Sequence, residues 1–435
     1  MQRMKYSGVE WIGEIPEDWE IIKSKYLCNM YTGNSIKDDE KDNYKNSTDA
    51  RPYIATKDID AIYGTADYRN GIYIKNSDTS FKVAHSGCTL MCIEGGSAGK
   101  KKTYLIEDVS FVNKLCCFEA HNIFSKYLFY YLLSPNFEDQ FRNNIGGLIG
   151  GVSVSQLKNF YFAVPNAEQQ RRIADFLDDK CGKIDRYIEK QQQIIDKLKE
   201  YKQAVITETV TKGLDPDAPM KDSGIEWIGM IPEYWNIRRL RYLGSCLNGI
   251  SKGGEFFGDG FPFVSYGDVY RNMELPQKVE GLVQTTESER EWYSVKEGDV
   301  FFTRTSETIE DVAIASTCMQ TIENATFAGF LIRFRPNTNL LTKEFSKFYF
   351  RSDKHRLFFV KEMNLVTRAS LSQELLKRLP ILLPPIKEQQ EIAHLLESKC
   401  SEIDSAISKQ TVIIEKLTGY KKSLIYEAVT GKLEV

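Results

Sequence analysis

The feature that most constrains this chain is that it repeats itself. Residues 7–27 read SGVEWIGEIPEDWEIIKSKYL and residues 223–243 read SGIEWIGMIPEYWNIRRLRYL, identical at 13 of 21 positions with an offset of 216. Trp11 recurs as Trp227, Trp19 as Trp235 and Pro16 as Pro232. A second block keeps an offset of 219. It matches Ser153 with Ser372, Leu157 with Leu376, Pro165 with Pro384, Lys180-Cys181 with Lys399-Cys400, Ile184-Asp185 with Ile403-Asp404, and Tyr201-Lys202 with Tyr420-Lys421. Two blocks at nearly one offset mean a single duplication, and repetition at such a period governs any reading of the fold. Between the blocks, 28–150 and 244–368 diverge, PYIATKDI at 52–59 against PFVSYGDV at 262–269 being the clearest echo. A repeated frame holding two different inserts suggests one task performed twice on two different targets.

The second block has helical spacing. From Ile173, apolar residues recur at Leu177, Ile184, Ile188, Ile195 and Leu198; from Ile392, at Leu396, Ile403, Ile407, Ile414 and Leu417. Steps of three, four and seven describe an apolar stripe close to a coiled-coil heptad. Pro165 and Pro384-Pro385 stand where helix starts are expected, and Gly213 with the following DPDAP ends the first helix. Each helix spans about 45 residues, roughly 65 Å. Neither repeat offers another long apolar partner, so the two stripes are expected to pair with each other. The inserts read differently. Short β-rich runs, TLMCI (89–93), DVSFV (108–112), DVFFT (299–303) and TFAGFLIRF (326–334), alternate with Gly, Asn, Asp and Ser clusters. A helical stretch follows in each, at 125–134 and 342–352. The fold class is α+β.

Composition removes several functions. With 57 Lys+Arg against 60 Asp+Glu the net charge is -3, which excludes a binder held to nucleic acid by bulk charge alone. The polar N-terminal segment does not read as a signal peptide, and apolar runs such as LPILLPPI (379–386) fall far short of a membrane span. Nine scattered cysteines, odd in number, read as reduced thiols of a cytoplasmic protein. Catalytic signatures fail on inspection. EGGSAGKKKT at 94–103 has the wrong spacing for a phosphate loop, and FFGDG at 256–260 follows no apolar strand. The four histidines form no ligand cluster, and no nucleophile–base pair stands out. The chain reads as a binder or scaffold, with no catalytic residue, metal or cofactor of its own expected.

The two Gly-Val/Ile-Glu-Trp-Ile-Gly-x-Ile-Pro-Glu-x-Trp blocks resemble a known family. So do the two Pro-x-x-x-Glu/Gln-Gln-x-x-Ile-Ala-x-x-Leu blocks and the Glu-Ala-Val-Thr-Gly-Lys-Leu at 427–433. Over essentially the whole chain, the pattern is similar to the DNA-specificity subunit of type I restriction-modification enzymes. One departure is Gln169, where the second repeat has Glu388; it touches only the first helical turn. The resemblance implies two α/β target recognition domains joined by two long antiparallel coiled-coil helices, related by a pseudo-twofold duplication. Its boundaries would be 1–165 and 215–384 for the recognition domains (with a linker at 215–222), and 166–214 and 385–435 for the helices. It also implies a non-catalytic subunit that reads a bipartite double-stranded DNA target, one half-site per domain, with the helices setting the spacer. The implied partners are methyltransferase subunits, usually two, that supply S-adenosylmethionine, and restriction/translocase subunits that use ATP.

Reading DNA needs polar and basic side chains presented to base edges and phosphates. The Gly-rich loops of the inserts offer Lys100, Lys101, Lys102, Arg142 and Asn143 in the first domain, and Lys252, Arg304, Thr305 and Arg368 in the second. Gly87 and Gly298 align as strand-entry turns, which makes the loops at 94–102 and 303–311 expected spatial equivalents. The alternative, prompted by the near-neutral charge, is a coiled-coil interaction scaffold that does not bind DNA.

Overall fold

The structure, a computed structural model, describes residues 3–146, 150–306, 311–362 and 369–435. Two compact units emerge: Met1–Gln193 with Gln410–Val435, and Ile194–Lys409. Each holds one insert, one copy of the repeated N-terminal block, and part of two long helices, Ala167–Lys212 (the central helix) and Ile386–Val429 (the C-terminal helix). At 46 and 44 residues these helices are about 69 and 66 Å long.

The main sheet of the first unit is antiparallel, in the order Cys28–Thr32, Leu115–Ala120, Thr89–Cys92, Lys102–Tyr104. The second unit repeats it as Gly244–Asn248, Leu331–Pro336, Val300–Thr303, Ala315–Thr317. Thr89–Cys92 and Val300–Thr303 are buried along their whole length, as continuous apolar runs covered on both faces should be. The run at 326–334 is not one strand: it divides into Thr326–Phe327 and Leu331–Pro336, which belong to different sheets. Glu20–Lys23 pairs with Tyr161–Val164, and Asn236–Arg239 pairs with Pro380–Leu383, so the repeated N-terminal block closes onto the strand that leads into each long helix.

In the first unit Ile173, Leu177, Ile184 and Ile188 share a core with Leu424, Ile425, Ala428 and Val429, and Ile414 and Leu417 pack against it. In the second, Ile206 and Val210 share a core with Ile392, Leu396 and Cys400. Ile195 and Ile403 are buried, while Leu198 and Ile407 are half-buried. Within each unit the helices run antiparallel and one ion pair bridges them. Lys421 donates to Asp185 at 2.7 and 2.8 Å, and Lys202 donates to Asp404 at 2.8 and 2.6 Å. Under the 219-residue offset these are the same pair. Partly exposed, each contributes no more than about 1 kcal/mol, so its role is register rather than stability.

The repeated motifs have equivalent structural tasks. Gln170 accepts from Phe124 N at 2.7 Å and donates to Pro165 O at 2.8 Å. Gln389 accepts from Thr342 N at 2.9 Å and donates to Leu340 O and Pro384 O at 2.8 and 3.0 Å. Each glutamine thus ties the start of a long helix to the start of a recognition-domain helix, Ser125–Leu133 or Lys343–Tyr349. The helix ends are anchored alike. Gly213 and Gly431 adopt positive φ (79° and 70°), and a Cβ there would lie 3.2 Å from the Trp235 ring and 3.1 Å from the Trp19 ring. Both tryptophans are therefore core residues of the frame, with 2% exposure at Trp19 and none at Trp235.

The Gln169 departure is compensated locally. Asn166 caps the central helix, its side chain accepting from Gln169 N at 2.9 Å while Gln169 Oε1 accepts from Asn166 N at 3.2 Å. All nine cysteines are unbridged and eight of them are buried; burial pushes the Cys28 thiol up to about 12.

Candidate nucleic-acid interface

Each unit brings two sequence-distant loops edge to edge. In the first, the chain leaves Thr89–Cys92 through Glu94-Gly95, where Gly95 N donates to Gly150 O at 2.9 Å and Glu94 bridges to Gly151. Any Cβ at Gly151 would stand 2.7 Å from Ile93 O, so only glycine permits this approach. In the second, the chain leaves Val300–Thr303 through Thr305–Ser306, which pairs antiparallel with Ala369–Ser370. Leu371 N seals this contact by donating to Arg304 O at 2.7 Å. The result in both units is a lip at one end of the main sheet, built from the loop after a central strand and the loop before a short helix.

The sequence-derived candidates fall unevenly on these lips. The turn at 95–100 is closed by Gly99 N to Cys92 O at 2.8 Å and Lys100 N to Ser97 O at 3.0 Å, a tight Gly-rich turn between strands. Lys100 is exposed. Lys101 is tied down, its Nζ donating to Thr56 O at 2.9 Å. Lys102 contradicts expectation. Its side chain is 1% exposed, its Nζ sits 3.7 Å from Glu138 and 5.5 Å from the Phe137 ring centroid, and burial pushes it down to about 8 despite Glu138. A cation enclosed in this way has no face left for phosphate or base, so Lys102 is a buried structural lysine.

Arg142 and Asn143 are exposed at the end of Pro135–Asn143, with Arg142 paired to Asp139 at 3.3 Å. Lys252 is held by Glu289 at 2.8 Å and lies 5.2 Å from the Phe256 ring. Arg304 and Thr305 are half-buried on the second lip itself. Arg368 lies outside the described residues.

Two lip residues carried no signal in the sequence. Ile93 N donates to Lys114 O at 3.0 Å and Arg304 N donates to Phe330 O at 2.9 Å, so Lys114 and Phe330 hold corresponding places. Lys114 is exposed and Phe330 is 65% exposed, each immediately before the long buried strand of its sheet. Their place directly ahead of LCCF (115–118) and LIRF (331–334), the buried starts of those strands, is the one trace that could have marked them.

The side chains on the lips, Lys100, Lys114, Arg304 and Thr305, are suited to hydrogen bonding and ion pairing. Among the described residues, no cluster of three or more His, Cys, Asp or Glu could hold a metal. His355, pushed down to about 3 by burial, bonds Ser352 and packs on Tyr349 as a neutral core residue. No helix among the described residues is long and apolar enough to cross a membrane.

Two corresponding lips on a duplicated frame define a protein that presents polar and charged loops twice, at equivalent places of its two units. Residues 16–200 and 235–414 match the family described as type I restriction modification DNA specificity domain, and the chain belongs to that family. It is a sequence-specific DNA-recognition protein with the mixed α/β, helix-linked architecture of the family. It is 23% identical to the type I restriction enzyme EcoKI specificity subunit of Escherichia coli (strain K12), over 97% of this chain and 90% of that protein. It is also 23% identical to the StySPI specificity subunit of Salmonella potsdam, over 69% of this chain and 66% of that one. A solved structure, from work on complex assembly and conformational transition of the type I R-M system, matches with a TM-score of 0.70 and 16% identity. That match covers 96% of this chain and 99% of that chain.

Proposed function

We propose that this chain reads a bipartite double-stranded DNA target, one half-site per recognition domain, and that the long helices fix the spacing between the half-sites. The observation that carries this reading is the pair of corresponding lips lined by different residues: Lys100 and Lys114 in the first unit, Arg304, Thr305 and Phe330 in the second. The same frame presenting unlike side chains is what reading two unlike sequences requires. Helices of about 69 and 66 Å extend over some two turns of B-DNA, a length suited to a ruler. The subunit is non-catalytic and acts in the cytoplasm. It docks methyltransferase subunits, two per chain, and restriction/translocase subunits. S-adenosylmethionine and ATP are bound by those partners and not by this chain. Nothing favours the scaffold reading.

The test is methylation mapping by single-molecule sequencing in cells carrying this chain with its methyltransferase subunit. The expected motif is split, with two unlike halves at fixed spacing. Exchanging residues 28–150 for another family member's insert should replace one half and leave the other. A single contiguous motif, or methylation indifferent to the exchange, refutes the proposal.

A further inference from the structure

The duplication keeps a set of residues that folding does not use. Trp19 and Trp235, Gln170 and Gln389, and Gly213 and Gly431 are alike because each makes the same enclosed contact in its unit. Four other positions are alike yet lie on the surface: Lys23 with Arg239, Lys25 with Arg241, Tyr26 with Tyr242, and Lys158 with Lys377. Tyr26 is 59% and Tyr242 63% exposed; Lys25, Lys158, Arg239 and Arg241 are exposed, and Lys23 and Lys377 half so.

In each unit the four converge. Lys25 N donates to Lys158 O at 3.2 Å, Lys25 Nζ lies 4.8 Å from the Tyr26 ring centroid, and Lys23 faces Tyr161 across the strand pair with its Nζ 5.4 Å from that ring. In the second unit Leu240 N donates to Leu379 O at 2.9 Å, which sets the turn Leu240–Tyr242 against the short helix Gln373–Arg378. Lys377, 2.8 Å away, and then Arg241 hold the Glu374 carboxyl below its usual range. Positive sign survives a Lys-to-Arg change at two of the positions, while neighbours on the same elements drift: Glu20 to Asn236, Ile22 to Arg238, Ser155 to Glu374.

The tyrosines of these patches lie at the opposite end of the main sheet from the lips. Tyr26 precedes Cys28–Thr32, which pairs Cys28 with Ala120, whereas the lip lies at the other end, where Leu115 pairs with Cys92. The second unit repeats this, Gly244 pairing with Pro336 and the lip lying where Leu331 pairs with Thr303. A five-residue strand separates Tyr26 and Tyr242 from the lips by about 17 Å, and Lys158 and Lys377 stand at the far end of the short helices that lead away from the lip loops. Reading loops must differ between the halves. A surface that stays the same in both, away from those loops, fits something that is itself the same on both sides. We infer that these two patches dock two copies of one acidic-faced partner, the methyltransferase subunit of the proposed function, on which this inference rests. In each, an exposed tyrosine supplies the amphipathic anchor and three cations supply the complementary charge.

The experiment assembles the full chain with its methyltransferase subunit and weighs the complex by native mass spectrometry. Lys25→Glu with Lys158→Glu, or Arg241→Glu with Lys377→Glu, should each reduce two partner copies to one, and all four together should leave none. Tyr26→Ala or Tyr242→Ala should weaken one copy about 10- to 30-fold. Because the substituted side chains are exposed or half exposed and none belongs to a core, melting temperatures should stay close to the wild-type value. Lys25→Arg with Lys158→Arg should retain both copies. Two-copy assembly in all the variants overturns the inference, and if DNA affinity and its salt slope fall instead, the patches are phosphate contacts. A wild-type chain that recruits no methyltransferase subunit refutes the proposed function itself, a result distinct from failure of the variants alone.

Discussion

Replacing Gln389 by Met removes three hydrogen bonds while nearly preserving side-chain volume, and the loss can be worked from the structure. Gln389 is fully buried; it accepts from Thr342 N and donates to Leu340 O and Pro384 O. The bond to Pro384 O is buried, so its loss costs about 1–3 kcal/mol; the other two are partly buried, and water can recover some of theirs, leaving about 0.5–1 kcal/mol each. The second unit should therefore lose about 2–5 kcal/mol. Native-state hydrogen exchange reads this directly at the Thr342 amide, whose protection should fall about 30- to 5,000-fold. The duplication supplies the control. Phe124 N, bonded to Gln170 at 2.7 Å, should keep its protection in Gln389→Met and lose it in Gln170→Met. If both amides open together, or neither does, the two glutamines are not local anchors and the argument from the repeated motif fails.

Lys102→Met should make stability flatter in alkali. With the folded lysine depressed to about 8 and the unfolded one near 10.5, the folded state sheds its proton first, so wild-type stability should rise relative to the variant between about pH 8 and 10.5 and be lowest at neutral pH. Urea melts across that range measure the rise, of order 3 kcal/mol at most, and parallel curves for the two proteins would refute it. Gly431→Ala should destabilise by more than about 1 kcal/mol, since it combines a positive φ with a Cβ 2.3 Å from the Pro16 ring, whereas Gly182→Ala, in open helix, should stabilise by about 0.5–1 kcal/mol. Thermal melts followed by tryptophan fluorescence separate the two. Arg304→Ala should cost about 1–3 kcal/mol in DNA affinity and relax only one half of the methylated motif. A uniform relaxation of both halves would argue against a lip that reads sequence.

The frame was legible because its constraints are local or periodic. Ile173 and Leu177 announce a helix by spacing alone, Pro165 and Gly213 punctuate it, and the duplication shows which residues belong together. What escaped depends on contacts between distant segments. Lys102 reads like Lys100 until Glu138 and the Phe137 ring close over it, and Lys252 reads as a free loop cation until Glu289 takes its ammonium. Loop 94–95 meets 150–151 through backbone atoms alone, which leave no residue pattern to find. Glycine at 151 is the one trace, and it is intelligible only once Ile93 O is known to lie beneath it.

The one place where the repeated motifs disagree shows how two copies drift within one chain. In the second unit Glu388 accepts from Trp235 Nε1 at 2.9 Å and from the Tyr234 hydroxyl at 3.1 Å. In the first, position 234 is matched by Asp18, and a carboxylate at 169 would stand beside a second carboxylate. Gln169 removes that repulsion and donates to Asp18 at 3.1 Å, at the cost of leaving Trp19 Nε1 buried without a partner among the described residues. The two substitutions compensate each other through a contact between the N-terminal block and the helix start, which are 151 residues apart in sequence. These two contacting frame positions changed together, whereas lip positions such as Lys114 and Phe330 differ with no matching change in the frame. That difference in constraint is what lets a single duplicated scaffold keep one architecture while its two reading edges diverge.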